Sequence, residues 1–290
     1  MRILLTGASG FIGSYLARKL NGIHYELIRI SKTRKGFIKC DITNKKEVME
    51  FIFKNKIGII IHLAAHIPIK KNDRKKTYET NVTGTKNILE AAEKSKIKGL
   101  IYVSSMGVYG KPKSIPIKET QKPQPIDYYG LTKLKAEKLC ERFSKKFNII
   151  ILRYAGVYGY GKNKGAVYNF VLNALLNKPL VIKAVGGKTH DFVYVKDVVN
   201  ATVLALKNIK KIKFGIFNIG SGKDVAVEEL AKIIIKLCDS KSKLIVTQKT
   251  VSERFLLDIS KAKDLLNYEP QPLVKNLKDY IRMIKWKKYH

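Results

Sequence analysis

The chain has 290 residues, 45% of them hydrophobic, so it is long enough to bury one large core or two small ones and is not disordered. Its 57 Lys and Arg residues against 23 Asp and Glu residues give a formal net charge of +34, which attracts nucleic acid, anionic membranes and anionic small molecules. The lysines are spread along the whole chain, so we expect a solvated lysine-rich surface and no dedicated nucleic-acid site.

The first half of the chain alternates strand and helix patterns. We predict strands at 2–6, 25–31, 57–63, 98–104 and 148–153, and helices at 11–20, 44–54, 73–95 and 128–146. Runs such as Ile57-Gly58-Ile59-Ile60-Ile61 are apolar without alternation, which is typical of parallel strands covered on both faces. The alternation predicts an α/β fold with a doubly wound parallel sheet.

The pattern loosens after Arg153. We predict helices at 165–177, 196–207, 226–238 and after Pro272, and strands near 180–183, 214–219 and 243–247. Because no repeat or low-complexity linker marks a boundary, we expect two interwoven units. These are a first domain over 1–153, with contributions from about 190–220, and a smaller α/β lobe over 154–290.

A glycine-rich turn follows the first strand. It reads Thr6-Gly7-Ala8-Ser9-Gly10-Phe11-Ile12-Gly13 and leads directly into the first helix. Such glycines permit a tight turn and close approach of a ligand, and the helix N-terminus offers unpaired N–H groups to a phosphate. The turn predicts a dinucleotide site. Its spacing differs from G-x-G-x-x-G, so from this motif alone a turn without a ligand is the alternative.

A second polar group stands at the start of the helix predicted over 128–146. Tyr129 and Lys133 are four residues apart, so they lie on one helix face. An ammonium there favours the phenolate and lowers the tyrosine pKa towards neutrality, which makes it a usable proton acceptor. Two ordinary surface residues are the alternative. The preceding strand ends near Ser105, at the carboxyl edge where open parallel sheets bind ligands, and this position favours a site.

The cysteines Cys40, Cys140 and Cys238 are far apart and match no metal or redox spacing. We therefore expect reduced thiols, no metal site and a cytoplasmic location. The glycine turn begins too near Met1 to leave room for a signal peptide, and the most apolar stretch, 57–69, is too short to span a bilayer. No membrane association is expected.

Together these motifs resemble the extended short-chain dehydrogenase/reductases, in particular their nucleotide-sugar epimerase/dehydratase branch. The resemblance covers nearly the whole chain and implies a Rossmann-type fold with a substrate lobe. Beyond the glycine turn and Tyr129-x-x-x-Lys133, the matching segments are Cys40-Asp41-Ile42, Ile61-His62-Leu63-Ala64-Ala65, Thr80-Asn81-Val82-Thr83-Gly84-Thr85, Ser105-x-x-Val108-Tyr109-Gly110, Leu152-Arg153-Tyr154, Asp191-Phe192-Val193-Tyr194-Val195-x-Asp197-Val198, Phe217-Asn218-Ile219-Gly220-Ser221-Gly222, and Arg254 with Asp258-Ile259-Ser260-Lys261-Ala262.

The resemblance implies a nicotinamide cofactor held at the glycine turn, at three strand ends and on the helix of Tyr129. The residues it assigns to the cofactor are Gly7, Ser9, Gly10, Phe11, Ile12, Gly13, Ser31, Lys32, Arg34, Asp41, Ile42, Leu63, Ala64, Ala65, Asn81, Tyr129 and Lys133. Lys133 would hold the nicotinamide ribose as well as tune Tyr129. Asn81 also suits a polar anchor inside a helix, and the two roles stay open.

The same resemblance makes Ser105, Tyr129 and Lys133 catalytic and places Ser105, His190 and Arg254 at the substrate. Arg254 would offer paired donors to the substrate diphosphate. His190 replaces an arginine of the family, so it either meets a diphosphate more weakly or packs at the lobe boundary.

The end of the second strand departs from the family pattern. NAD-using relatives usually carry an acid there, which accepts from the adenine ribose hydroxyls, whereas this chain has Ser31-Lys32-Thr33-Arg34. Loss of the acid and gain of bases suit a 2′-phosphate, so we expect NADP or NAD, with NADP favoured. Incidental charge is the alternative, because lysine is abundant throughout.

The implied function is epimerisation of a nucleoside-diphosphate sugar through transient oxidation at C4. Dehydration is not expected, because Met106 and Gly107 occupy the positions of the dehydratase acids. An NADPH-dependent reductase of nucleotide 4-ketosugars uses the same residues and is the alternative. A non-catalytic cofactor-sensing or nucleic-acid-binding protein on the same fold is the alternative of another class. A homodimer is expected from the resemblance.

Overall fold

The structure is a computed structural model that describes residues 1–21, 25–68, 73–182, 189–247 and 254–289, with side chains described as far as residue 286. Residue 183 of the strand predicted over 180–183 lies outside the described residues.

The strands alternate with helices along the first half of the chain and become short in the second half. They are β1 (Arg2–Thr6), β2 (Glu26–Ser31), β3 (Ile38–Lys39), β4 (Ile59–His62), β5 (Gly99–Ser105), β6 (Asn148–Tyr154), β7 (Gly156–Tyr158), β8 (Leu180–Ile182), β9 (Thr189–His190), β10 (Phe192–Tyr194), β11 (Phe214–Ile219), β12 (Val225–Ala226) and β13 (Leu244–Val246).

The α-helices that connect these strands are α1 (Phe11–Leu20), α2 (Lys45–Lys54), α3 (Arg74–Tyr78), α4 (Gly84–Lys94), α5 (Tyr128–Phe143), α6 (Ala166–Leu175), α7 (Val195–Asn208), α8 (Val227–Cys238), α9 (Ser260–Leu266) and α10 (Leu273–Tyr289). None of the described helices is both long enough and apolar enough to cross a bilayer.

A seven-stranded parallel sheet forms the centre of the molecule, in the order β11-β6-β5-β4-β1-β2-β3. All four residues of β4 are buried, as expected for a strand covered on both faces. Core side chains from α2, α4 and α5 pack on one face, and those from α1 and α7 pack on the other. This arrangement confirms the predicted α/β fold with a doubly wound parallel sheet.

The second half of the chain adds a strand to the central sheet and also forms smaller sheets of its own. Strand β11 pairs with β6 and so completes the central sheet, although it follows β7 to β10 in the chain. The lobe itself contains three two-stranded sheets, β10-β7, β12-β9 and β13-β8, within the part of the chain that is described. The chain thus enters the lobe after β6, returns to the sheet at β11 and leaves again.

Two local features differ from the sequence predictions. The single helix expected over 73–95 is divided into α3 and α4 by a π-helical turn, Glu79–Thr83. The sequence did not predict the two-residue strands β3, β9 and β12 or the seven-residue helix α9. These elements are too short to produce a periodic pattern. The π-helical turn contains Asn81, which is buried.

Candidate active site

The glycine turn between β1 and α1 has room only for glycine at two positions. Gly7 has φ +68°, and a Cβ there would stand 2.7 Å from the Ala64 nitrogen. A Cβ on Gly13 would stand 2.1 Å from the Gly7 oxygen. At these two positions the turn is therefore bare backbone, and the first turn of α1 contains no acidic residue to oppose an anion. Both properties suit a pyrophosphate.

The carboxyl ends of the central strands bring the predicted residues to one edge of the sheet. Thr6 of β1 pairs with His62 of β4, so β1 and β4 end at the same level, while His62 pairs with Tyr102 of β5, and β5 continues three residues further to Ser105. The segments that reach this edge carry Ser31, Gly7 to Gly13, Leu63-Ala64-Ala65 and Ser105.

A buried chain of hydrogen bonds holds β1, β4 and the π-helical turn together. The Ala64 N–H donates to Thr6 Oγ1 (3.1 Å), and the Thr85 hydroxyl donates to the Asn81 carbonyl oxygen (2.7 Å). Thr85 Oγ1 must then accept from His62 Nε2 (3.0 Å), and the Thr6 hydroxyl donates to His62 Nδ1 (2.6 Å). Burial, assisted by the charge of Lys133, lowers the pKa of His62 to about 3 and keeps the ring neutral.

The side chain of Asn81 is hydrogen-bonded inside the protein, which favours the second of the two roles left open by the sequence. Its side-chain oxygen accepts from the His66 N–H (2.7 Å), and its amide group donates to the His66 carbonyl oxygen and to Thr132 Oγ1, each at 3.0 Å. The Thr132 hydroxyl in turn donates to the Tyr129 carbonyl oxygen (2.8 Å). Because the amide is fully used inside the protein, Asn81 positions the helix of Tyr129 instead of offering donors to a ligand.

Helix α5 is set in place by its own cap and by the turn that carries Ser105. Asp127 caps the helix by accepting from the Gly130 N–H (2.6 Å). Ser105 is the last residue of β5, is half-buried, and accepts from the Gly107 N–H (3.1 Å) in the 3₁₀ turn Met106–Val108. Tyr129 lies in the first turn of α5, and Lys133 lies one turn further on.

The ionisation of Tyr129 differs from the sequence prediction. Burial, with a smaller contribution from Asp127, raises the pKa of Tyr129 to about 12 instead of lowering it. Burial also lowers the pKa of Lys133 to about 7, although Glu137 works in the opposite direction. The Lys133 ammonium donates to the Val103 carbonyl oxygen (2.6 Å). In this structure the ammonium is therefore bonded to the strand and does not stabilise a phenolate.

The end of β2 is polar and compact. Ser31 Oγ lies 3.2 Å from Ser9 Oγ and accepts from the Arg34 backbone N–H (3.3 Å). Lys32 forms an ion pair with Asp41 (2.6 Å between Nζ and Oδ2), so one of the predicted bases is paired with a residue predicted at the adenine. Burial opposes ionisation of Asp41, but hydrogen bonds from Lys32 and Thr43 leave its pKa below the usual value.

His190 and Arg254 are brought together by three segments of the smaller lobe. Val225 pairs with His190 across β12 and β9, and the Asp191 N–H donates to the Phe255 carbonyl oxygen (2.9 Å). Arg254 donates from both Nε (2.8 Å) and Nη2 (2.5 Å) to Asp224 Oδ2. The guanidinium is thus held along one edge, and its Nη1 end is turned away from this pair.

Two acidic residues of the lobe were missed as parts of the site. Asp224 holds Arg254, and the fully buried Asp191 accepts from the Ser221 N–H (2.6 Å) and hydroxyl (2.7 Å). Burial raises the pKa of Asp191 to about 6 despite these bonds. Asp191 lies in a segment that matches the family pattern, so the sequence could have indicated it. Asp224 could not be recognised from the neighbouring sequence, because its partner Arg254 is 30 residues away.

The chain matches the model of the NAD dependent epimerase/dehydratase family over residues 3–220. A protein of Methanocaldococcus jannaschii, provisionally named UDP-glucose 4-epimerase, is 34% identical over 308 aligned positions that cover 99% of this chain and 98% of that protein.

Solved structures agree with this match. The UDP-glucose 4-epimerase of Thermotoga maritima, solved with UDP-glucose, is 29% identical with a TM-score of 0.88, and the alignment covers 99% of this chain and 100% of that one. The UDP-glucuronic acid 4-epimerase of Bacillus cereus, in complex with UDP-glucuronic acid and NAD, is 30% identical with a TM-score of 0.85, and the alignment covers 98% and 100%.

Proposed function

The chain belongs to the NAD-dependent epimerase/dehydratase family, and from that premise we propose that it is an NAD(P)-dependent epimerase acting at C4 of a nucleoside-diphosphate sugar. The observation that supports the proposal is that β5, which ends in Ser105, and helix α5, which carries Tyr129 and is bonded to β5 through Lys133, reach the same sheet edge as the strand that leads into the glycine turn. The related proteins named above carry 4-epimerase names. Those names support epimerisation over the reductase alternative and over a non-catalytic role.

The backbone around the glycine turn fits a nicotinamide dinucleotide. Gly7 packs too closely against the Ala64 backbone to allow a side chain, and α1 begins directly after this turn with no acidic residue in its first turn, which suits an anionic pyrophosphate. Lys133 has two further ammonium hydrogens beyond the one given to Val103, and these would meet the nicotinamide ribose. When bound, the nicotinamide supplies a hydride acceptor for the sugar C4 and later returns the hydride.

Tyr129 takes the proton of the sugar 4-hydroxyl, and Ser105 donates a hydrogen bond to the same oxygen. A phenol whose pKa is about 12 is almost wholly protonated at neutral pH, so the phenolate that accepts the proton forms only with a cation close by. Lys133, one helical turn away, is the cation on the same helix face. For epimerisation, the keto sugar turns within the site, and Tyr129 returns the proton after the hydride reaches the other face of C4.

The substrate diphosphate is assigned to Arg254 and His190. Arg254 is exposed, and the pairing of its Nε–Nη2 edge with Asp224 leaves Nη1 directed elsewhere, which suits a second anionic partner. His190 lies opposite Val225 on the neighbouring two-residue strand, one position from Asp224. The UDP-sugars in the related structures support a nucleoside diphosphate as the ligand class.

NADP is expected to be accepted as well as NAD. The end of β2 presents the hydroxyl of Ser31 and no carboxylate, and the Arg34 backbone folds back onto it (3.3 Å). Because Lys32 is paired with Asp41, the exposed Arg34 is the better-placed base for a 2′-phosphate. The NAD bound to the related epimerase supports a nicotinamide dinucleotide in general.

A homodimer and a cytoplasmic location remain our expectations. Tyr78 on α3 and Leu131 on α5 are 38% and 37% exposed, and the Lys135 ammonium lies 5.1 Å from the centre of the Tyr78 ring, so two apolar side chains stand among the charged residues on the outside of these helices. Sedimentation velocity tests the dimer. The buried free thiols Cys40, Cys140 and Cys238 suit a reducing compartment.

The proposed activity is tested by incubating the purified protein with UDP-glucose, UDP-galactose or UDP-glucuronic acid, with NAD or NADP added separately. Formation of the C4 epimer, followed by proton NMR of the anomeric signals, is the expected result. A parallel incubation with a nucleotide 4-ketosugar and NADPH tests the reductase alternative. Stoichiometric NADPH oxidation there, together with no epimer in any other mixture, would overturn the epimerase proposal.

A further inference from the structure

A buried ion pair lies behind the candidate catalytic residues. Glu137, on α5 one turn beyond Lys133, accepts from Arg153 through Nη2 (2.6 Å) and Nε (3.1 Å). Its carboxylate also accepts from the Ser104 hydroxyl (2.5 Å). The side chains of Arg153 and Glu137 are only 3% and 4% exposed. A buried pair of this kind is tolerated when its remaining polar atoms are also bonded, so its further partners decide what it holds together.

Tyr109 continues the network from the ion pair into the turn that follows Ser105. Its hydroxyl accepts from Arg153 Nη1 (2.9 Å) and donates to Asn218 Oδ1 (2.7 Å). The Tyr109 N–H donates to the Met106 carbonyl oxygen (3.0 Å), so the residue closes the 3₁₀ turn that begins at Ser105. Tyr109 is fully buried.

Asn218 extends the network from β11 into the smaller lobe. Its side-chain amide donates to the carbonyl oxygens of Ile117 (2.8 Å) and Asp258 (3.1 Å). The Ile117 N–H donates to the Leu256 carbonyl oxygen (2.8 Å), and Leu256 lies two residues after Arg254. The segment that carries the proposed diphosphate ligand is therefore bonded to the same network as the catalytic helix.

We propose that Tyr109 is a positioning residue whose hydroxyl fixes the Ser105 turn relative to both α5 and the 254–258 segment. The inference rests on the proposed epimerase function. The hydroxyl bonds at once to the helix side, through Arg153, and to the lobe side, through Asn218. Glu119 makes a second link, because its carbonyl oxygen accepts from Arg153 Nη1 (3.4 Å) and its carboxylate accepts from the Asn218 N–H (2.8 Å). The motifs around Tyr109, Arg153 and Asn218 take no direct part in the proposed chemistry. Their hydrogen bonds through the Tyr109 hydroxyl give all three the same role, which is to hold the Ser105 turn in position.

The position of Ser105 matters because its hydroxyl must meet the sugar oxygen while Tyr129 meets the same atom. Its present hydrogen bond from the Gly107 N–H lies inside the turn that Tyr109 closes. Loss of the Tyr109 hydroxyl leaves Arg153 and Asn218 each short of one partner and lets this turn shift. Small displacements of a reacting group reduce the rate more than they reduce binding.

The test compares Tyr109→Phe with the matched variant Tyr154→Phe. Tyr154 is also buried, and its hydroxyl bonds to Thr202 on α7 instead of to Arg153 or Asn218. We expect Tyr109→Phe to lower kcat about tenfold while KM for the nucleotide sugar stays within about twofold. Tyr154→Phe loses a similar hydroxyl and should keep kcat within about twofold of the unmodified protein.

Hydrogen exchange supplies a readout that needs no turnover. The Gly107 amide, which donates to Ser105 Oγ, should exchange about fivefold faster or more in Tyr109→Phe and at the original rate in Tyr154→Phe. Equal kcat values and equal Gly107 exchange in the two variants would overturn the proposal. Should Tyr109→Phe fail to fold, Asn218→Ala carries the same two expectations.

Failure of the proposed function gives a different pattern. If the unmodified protein converts no nucleotide sugar, the epimerase proposal fails, and the Gly107 exchange rate alone decides whether Tyr109 fixes the turn. If the unmodified protein is active, but Tyr109→Phe and Tyr154→Phe have equal kcat values and equal Gly107 exchange rates, the positioning role is wrong and the epimerase function stands.

Discussion

The Lys133 ammonium lies 4.1 Å from the centre of the Tyr102 ring and donates to the carbonyl oxygen of the next residue, Val103. The ring face and the carbonyl dipole both favour the cation, while burial disfavours it. Burial has the larger effect and lowers the pKa of Lys133 to about 7. The side chain therefore loses its proton much more readily than an exposed lysine does.

Replacement of Lys133 by Met should change how stability depends on pH. Between pH 7 and pH 10.5 the unfolded chain binds a proton that folded Lys133 has released, so the free energy of unfolding of the unmodified protein rises with pH in this window. The rise attributable to Lys133 is at most about 1.4 kcal/mol per pH unit. Lys133→Met lacks this pH-dependent rise in the free energy of unfolding. The variant should therefore exceed the unmodified protein in stability by the largest amount near pH 7, and the difference should shrink towards pH 10.5.

Urea titrations of both proteins at several pH values check this expectation. Lys135→Met, at an exposed position on the same helix, is the matched control and should follow the unmodified protein. A constant difference between Lys133→Met and the unmodified protein across the window would show that Lys133 keeps an ordinary pKa in the folded state.

Tyr129→Phe should lower kcat by at least about 100-fold, because the variant retains the ring and loses the proton acceptor. Cofactor affinity should stay within about twofold, since the glycine turn and Lys133 are unchanged. Tyr128→Phe is the control, because Tyr128 is the neighbouring tyrosine in the same helical turn. Epimer formation and cofactor fluorescence titration measure the two quantities. Substantial residual turnover by Tyr129→Phe would remove Tyr129 from the role of base.

The fold was predictable because its signals are local. The strand, glycine turn and helix from Arg2 to Leu20 lie within twenty residues, and the buried strand β4 is a continuous apolar run. The spacing of Tyr129 and Lys133 is also local. The roles of the assigned site residues remain predictions, although the structure brings several of them to one edge of the sheet.

The features that sequence reasoning missed depend on contacts between distant segments. The direction of the Tyr129 pKa shift follows from burial by the folded chain, and neither burial nor the Lys133–Val103 bond is visible in the spacing of the two residues. The pairing of Lys32 with Asp41 joins the ends of two strands, and that of Arg254 with Asp224 joins two loops. In each pair the sequence shows that the residues are charged but not which residue each of them pairs with.

The pairing of Lys32 with Asp41 yields a prediction for cofactor choice. Arg34→Ala should weaken NADP binding about tenfold and leave NAD binding within about twofold, because a charge-assisted bond to the 2′-phosphate is lost only for NADP. Lys35→Ala, one residue along in the same exposed turn, is the control. Titration of both dinucleotides into each protein measures the ratio. Equal weakening of NAD and NADP, or NAD binding at least as tightly as NADP to the unmodified protein, would contradict the expected NADP preference.

Arg254→Ala should raise KM for the nucleotide sugar between about 10-fold and 100-fold, since charge-assisted hydrogen bonding from the Nη1 end to a diphosphate is removed. Cofactor affinity should be unchanged, because Arg254 belongs to the lobe and not to the glycine turn.

Asp224→Asn tests the orientation of Arg254, because this variant keeps the Arg254 charge and weakens the contact that holds the guanidinium. The amide still accepts one hydrogen bond but holds the Nε–Nη2 edge less firmly, so KM should rise by about threefold, less than for Arg254→Ala. The stability change should stay within about 1 kcal/mol, because Arg254 is 56% exposed and such pairs contribute little to folding. A fall in KM for Asp224→Asn would mean that Asp224 competes with the substrate for Arg254 instead of orienting it. Initial rates over a range of sugar concentrations, with Lys223→Ala as the neighbouring control, distinguish the two outcomes.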